Sequence, residues 1–359
     1  MLNTFGSLFR LTSFGESHGM GIGGIIDGCP AGLILDETFI QEQLDKRKPG
    51  NNFASQAGTT RKEADKVVFL SGVYEGKTTG TSLAFFVENT NQKSHDYTKL
   101  AEMYRPGHAD KVFDDKFGFR DPRGGGRSSG RETIARVVAG AVAELYLKQF
   151  GIEIFAYPLA IDGIYAEEYG ALSIHNADTR KYFAPNEDVI MHWDKRIDEV
   201  RKDLDTLGGI VRLEVHHAPA GLGEPVFQKL DAYLSYALMG VGAVKAVEIG
   251  DGMLVATSRG SKNNDSMCIK DNKIFYNTNH AGGILGGIST GEPILANAYV
   301  KPIPSIAKEQ KTVTKQGENT LLSVGGRHDI CAIPRIVPVL KAMTALVIAD
   351  MMLLQKRMD

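Results

Sequence analysis

The sequence predicts an α+β fold, one large domain over residues 1–359 in which helices pack between antiparallel β-sheets. Three observations point there. Apolar segments of strand and helix length are intermixed, without the regular alternation that builds a parallel sheet. Neither standard nucleotide-binding glycine pattern is met, so the folds that carry those patterns are not indicated. No low-complexity linker and no clear domain boundary interrupts the chain.

Each element has a local reason. Asp36 can cap a helix over 37–48, which Pro49 and Gly50 end. The polar stretch 51–66 reads as a mobile loop. Strands follow at 67–71 and 82–88, joined through a glycine-containing turn. An Ala/Val-rich helix is expected over 134–150, then strands at 152–164, 209–216 and 243–249. Amphipathic helices are expected over 187–207 and 226–239. The closing segment 338–356 is apolar but carries Lys341 and Asp350, so it reads as a buried helix rather than a membrane span. Residues 17–25 and 279–288 echo each other: a small polar residue, a histidine, then glycines running into an apolar strand. The echo fits either a pseudo-duplicated half-domain or two independent glycine-rich turns.

Composition excludes several function classes. Lys and Arg total 41 against 43 Asp and Glu, a net charge of −2. A nucleic-acid binder would be basic overall, so basic clusters here are local and suited to a small anion. Cys29, Cys268 and Cys331 are too scattered for a CxxC metal site or a disulfide framework. No histidine pair shows zinc-ligand spacing, and no metal is expected. The start of the chain carries no signal-peptide pattern, and the expectation is a soluble cytoplasmic protein without membrane or nucleic-acid partners.

The densest chemistry lies in Gly124-Gly125-Gly126-Arg127-Ser128-Ser129-Gly130-Arg131-Glu132-Thr133. Its glycines let a ligand approach backbone N–H groups, its serines donate, and Arg127 and Arg131 supply guanidinium forks suited to oxyanions. The segment opens a helix, so the positive end of the helix dipole points to the same place. A surface turn with solvated arginines rarely concentrates donors this densely. The P-loop pattern fails because Arg131 and Glu132 follow its last glycine, and the dinucleotide fingerprint fails at Ile26. Three polar constellations accompany the segment: His18 between Ser17 and Gly19, His108 in Arg105-Pro106-Gly107-His108-Ala109-Asp110, and Asp329 after Arg327 and His328. Histidines titrate near pH ~6.5 and suit acid–base work or anion binding. Asp329 beside cations would stay ionised and could act as a base.

In order, FGESHG, RPGHAD, GGGRSSGRET, PAGLGEPVF, EIGDG, NHAGGILGGIS and GRHD resemble the motifs of the chorismate synthase family, and the resemblance runs from Phe5 to about Leu354. The resemblance implies a carbon–oxygen lyase of aromatic amino acid biosynthesis in the shikimate pathway. It would convert 5-enolpyruvylshikimate 3-phosphate to chorismate and phosphate by 1,4 anti elimination, with reduced FMN (FMNH2) and no net redox change. His18 and His108 match the family's catalytic histidines, and Asp329 matches the aspartate proposed to take the ring proton by way of the flavin. Flavin contacts are implied for Arg127, Ser128, Ser129, Gly242, Ala243, Gly286, Lys301, Pro302, Ile303, Pro304, Ser305 and Arg327. Arg47 matches an arginine contacting a nicotinamide dinucleotide or the substrate, while Arg131 and Arg105 are implied as substrate ligands. A homotetramer is likewise implied.

The chain departs from the family pattern at four places. Phe53 stands where bacterial relatives commonly carry a second arginine, Lys48 replaces an arginine, Ile303-Pro304 replace Thr-Ser, and Ile330 replaces a proline. Phe53 argues against NADPH (NADP) binding, so the expectation is a monofunctional enzyme supplied by an external flavin reductase. Two rival classes share the arginines. A flavin-dependent oxidoreductase on an anionic substrate would show net electron transfer, and a non-enzymatic anion-binding module would have no use for Asp329.

Overall fold

The computed structural model describes residues 3–49, 51, 53, 57–58, 64–90, 102–123, 125–325 and 328–357. Two five-stranded sheets enclose a layer of helices. The first sheet orders Thr4–Phe5, Arg10–Gly15, Gly21–Asp27, Leu83–Glu88 and Val67–Phe69, all antiparallel. The second orders Val244–Ile249, Ile294–Val300, Gly209–His216, Glu153–Ile161 and Ile164–Tyr165, again antiparallel. The main helices are α1 (Glu37–Arg47), α2 (Asp110–Phe117), α3 (Thr133–Lys148), α4 (Asp188–Lys202) and α5 (Leu230–Met239). Among the described residues the short α6 (Gly260–Asn263) and the long α7 (Ile333–Lys356) complete the set.

Local chemistry explains the elements that matter for the site. Asp36 caps α1 by accepting from the Phe39 N–H at 2.9 Å. The glycine run of the strand Gly21–Asp27 is covered by aromatic rings. A Cβ on Gly21 would stand 2.3 Å from the Phe86 ring, and one on Gly23 would stand 2.4 Å from that of Phe14. These glycines therefore serve close ring packing in a sheet, not a phosphate turn. The echoing segment at 279–288 takes another shape, a loop leading into the short hairpin of Ile284–Leu285 with Ile288–Ser289.

α3 and α7 pack together between the sheets and cross at Gly140, where a Cβ would lie 2.3 Å from Ala342 Cβ and 2.4 Å from its Cα. α7 begins at Ile333, five residues earlier than the sequence suggests, because Pro334 rather than Pro338 takes the first-turn place that suits proline. It is long and apolar enough to cross a membrane by length and composition, yet 83% of its most apolar stretch is buried. Asp350 in α7 is fully buried and pins the chain's start. Its carboxylate accepts from the N–H groups of Ser7, Leu8 and Phe9 and from the Tyr233 hydroxyl, at 2.6–2.9 Å. One continuous apolar cluster runs through both sheets and the helix layer.

Candidate active site

Both central helices begin at one cavity of about 720 Å³. Its wall includes Glu132 and Thr133 at the start of α3 and Ala332, Arg335 and Ile336 at the start of α7. Two helix N-termini, each with a partial positive charge, thus face a common space. Among the described residues that wall carries six arginines (Arg47, Arg105, Arg127, Arg131, Arg136 and Arg335) and Lys301, against two acids, Glu132 and Asp329. His18, His108 and His328 complete its titratable groups among the described residues.

The 125–132 segment forms two short 3₁₀ turns before α3. Gly125 and Gly126 both sit at positive φ, +88° and +51°, the region where glycine alone is unstrained. Arg127 reaches back to the first sheet, donating to the Gly15 carbonyl at 3.2 Å and to Ser13 Oγ at 2.5 Å. Ser13 Oγ in turn donates to Glu132 Oε1 at 3.2 Å. Ser129 Oγ accepts from the Arg131 N–H at 3.3 Å and caps the second turn. His18 stands on the loop after the strand Arg10–Gly15, with Ser17 Oγ 3.2 Å from its Nδ1. Asn89 holds this loop, its Nδ2 donating to the carbonyls of Glu16 and Gly19 at 2.9 and 2.8 Å.

Two buried aspartates organise the cations. Asp65, 1% exposed, accepts from Arg47 Nη2 at 3.0 Å and from Arg131 Nη2 at 2.9 Å. Arg131 Nε also donates to Asn89 Oδ1. Asp110, 3% exposed, accepts from Arg105 through Nε and Nη2, both at 2.8 Å, and from Arg120 Nη1 at 3.0 Å. His108 Nδ1 lies 2.9 Å from the same carboxylate. Burial alone would raise the Asp110 carboxyl, but hydrogen bonds from Arg105 and His108 outweigh it and hold the group well below the usual carboxylate range.

Asp329 has a partner the sequence did not indicate. Its Oδ2 accepts from Arg335 Nη1 at the start of α7, and Arg335 Nε donates to the Arg47 carbonyl at 3.4 Å. His328, read as a charge neighbour, donates from Nε2 to the Gly325 carbonyl at 3.1 Å. Arg327 lies outside the described residues. The 301–305 segment is tied to the RPGHAD loop by Lys301 Nζ, which donates to the Gly107 carbonyl at 2.8 Å, and Thr206 Oγ1 donates to the Ile303 carbonyl at 2.7 Å.

Of the residues singled out in the sequence, the cavity wall brings together His18, His108, Asp329, Arg47, Arg105, Arg127, Ser128, Ser129, Arg131, Gly242, Ala243, Lys301, Ile303, Pro304 and Ser305. Pro302 and Gly286 are not in it; Pro302 packs beside Gly208, and Gly286 turns the short 284–289 hairpin. Sequence reasoning missed Asp65, Arg136 and Arg335. The partners of Asp65 are 18 and 66 residues away, so nothing local marks it. Arg335 was hidden by placing the helix start at Pro338. Phe53 is outside the wall and stacks on Phe183, ring centroids 4.5 Å apart.

A family model described as Chorismate synthase matches residues 9–353. A chorismate synthase of Maridesulfovibrio salexigens is 58% identical over 356 residues, covering 99% of each chain. One from Nitratidesulfovibrio vulgaris is 57% identical over 356 residues, again covering 99% of each. A crystal structure of chorismate synthase matches with a TM-score of 0.77 at 28% identity, covering 98% of this chain and 93% of that one.

Proposed function

The chain belongs to the chorismate synthase family, and on that premise we propose that its cavity converts 5-enolpyruvylshikimate 3-phosphate to chorismate and phosphate beside reduced FMN. The enzyme is a carbon–oxygen lyase. The observation that carries the detailed reading is the excess of fixed cations around one cavity. A phosphate dianion and a carboxylate need several charge-assisted partners, each contributing about 1.5–3 kcal/mol net.

The elimination breaks the ring C–O bond to phosphate and a ring C–H bond, and phosphate departs with the electron pair of its bond. In this reading Arg131, Arg47 and Arg105 hold the substrate's anionic groups. Arg47 and Arg131 are braced on one buried carboxylate, so they stabilise charge on the leaving phosphate without reorganising. His18 would lend a proton or hydrogen bond to that phosphate, and His108, in the same wall, would serve the cofactor. Asp329 receives the ring proton, its direction set by Arg335.

The wall suits a flat anionic cofactor. At Gly130, Gly242 and Gly325 a side chain would project into open space, so bare backbone lines the cavity there. Arg127, Ser128, Ser129, Ala243 and the 301–305 segment would hold FMN in the same wall. Reduced FMN held there would supply a transient electron that eases the departure of phosphate, with no net redox change. The packing of Phe53 on Phe183 supports a monofunctional enzyme that obtains reduced FMN from a separate reductase. By family resemblance we place it in the cytoplasm as a homotetramer acting in aromatic amino acid biosynthesis. Phosphate release from the substrate with photoreduced FMN, without oxygen, tests the reading; its absence would overturn it.

A further inference from the structure

Asp110 has no part in the chemistry described so far, yet its carboxylate takes five hydrogen bonds beside the cavity. It opens α2 and is 3% exposed. Arg105 grips both oxygens, through Nε to Oδ2 and Nη2 to Oδ1, and adds its backbone N–H to Oδ2 at 3.2 Å. Arg120 Nη1 adds a bond to Oδ1, while Arg120 Nε is held by Asp114 at 3.0 Å. His108 Nδ1 meets the same Oδ1 at 2.9 Å. An ionised carboxylate only accepts, so the hydrogen in this contact belongs to Nδ1 of the ring. The opposite edge of the ring faces the 125–128 turn. A Cβ on Gly125 would stand 3.1 Å from His108 Cε1, 3.3 Å from Nε2 and 3.1 Å from Ser128 Oγ. His108 and Ser128 both line the cavity.

We propose that Asp110 is a positioning residue that holds His108 as its Nδ1–H tautomer, with Nε2 presented to the bound ligands. A carboxylate bonded to one imidazole nitrogen decides which nitrogen carries the proton and fixes the ring's direction. Loss of such a carboxylate elsewhere costs activity by letting the wrong tautomer form. Arg105 and Arg120 keep Asp110 charged despite its burial and lock its plane. Nε2 can then take or give a proton at a constant point, with no turn of the ring. The catalytic consequence rests on the reaction proposed above; the tautomer does not.

The test begins with the unmodified full-length protein. With histidine rings labelled with ¹⁵N, and the His108 signals assigned by their loss in His108→Gln, the neutral ring should show the Nδ1–H pattern. A ring protonated at Nε2, or a mixture like free imidazole, overturns the proposal whether or not any variant folds. A double-mutant cycle on phosphate release supplies the functional arm. Asp110→Asn should slow turnover by about 10²-fold or more, on the scale of an acid–base contribution. In the His108→Ala background the same change should alter turnover by no more than about twofold. A full additional loss in that background means that Asp110 serves the fold alone, and overturns the proposal. If the unmodified protein releases no phosphate, the reaction assigned above fails while the tautomer result still stands.

Discussion

Asp329 shows how a residue's role depends on partners far away in sequence. Its identity as an acid next to cations is legible in Arg327-His328-Asp329, but the guanidinium that holds it comes from Arg335, in the first turn of α7. Asp329→Asn keeps the side chain's size and most hydrogen bonding while removing basicity. Substrate and FMN should still bind, and phosphate release should fall by about 10²-fold or more. Near-normal turnover with binding intact would leave Asp329 as a structural partner of Arg335. Arg131 also gains a wider role, because it shares Asp65 with Arg47. Arg131→Ala removes one cation and loosens the bracing of another, so the substrate should weaken more than oxidised FMN. Titration of both ligands checks this; equal losses would refute the assignment of Arg131 to the substrate. Asp65 itself was invisible in the sequence, because a polar stretch gives no hint that one of its acids is fully enclosed.

At the scale of elements, periodicity and caps located most of the structure. α1, with its Asp36 cap, lies where the sequence puts it, and the strand Gly209–His216 matches to the residue. The strands Arg10–Gly15 and Ile294–Val300 and helix α2 escaped notice, the second strand among small residues and the helix beginning inside a motif read for its chemistry. Nor could sequence show that α3 and α7 touch at Gly140 and Ala342. Gly140→Ala would gain up to about 1 kcal/mol of helix propensity. The added methyl meets backbone at 2.4 Å, however, and the overpacking should cost typically about 1–3 kcal/mol. We expect a lower melting temperature, by a few degrees, and weaker ligand binding because both helices open onto the cavity. A raised melting temperature would mean that the helices separate without cost.

At the scale of the molecule, intermixed strands and helices made the α+β class legible, while the pairing order of the sheets did not follow from any local pattern. The same limit applies to the cavity. Fifteen of its wall residues could be named in advance because seven motifs occur in family order; charge and spacing alone indicated an anion pocket without its shape. The whole site also bears on the electron source. Phe53 packs on Phe183 rather than lining the cavity, so NADPH with oxidised FMN and no reductase should support negligible turnover in anaerobic assays. Robust turnover would show a second nucleotide site and a bifunctional enzyme.

The most direct test of the central claim is an anaerobic assay of 5-enolpyruvylshikimate 3-phosphate with photoreduced FMN, following phosphate, chorismate and flavin absorbance together. We predict equal amounts of phosphate and chorismate over many turnovers, with the reduced flavin conserved. Absence of phosphate release, or consumption of one reduced flavin per product, would contradict the account.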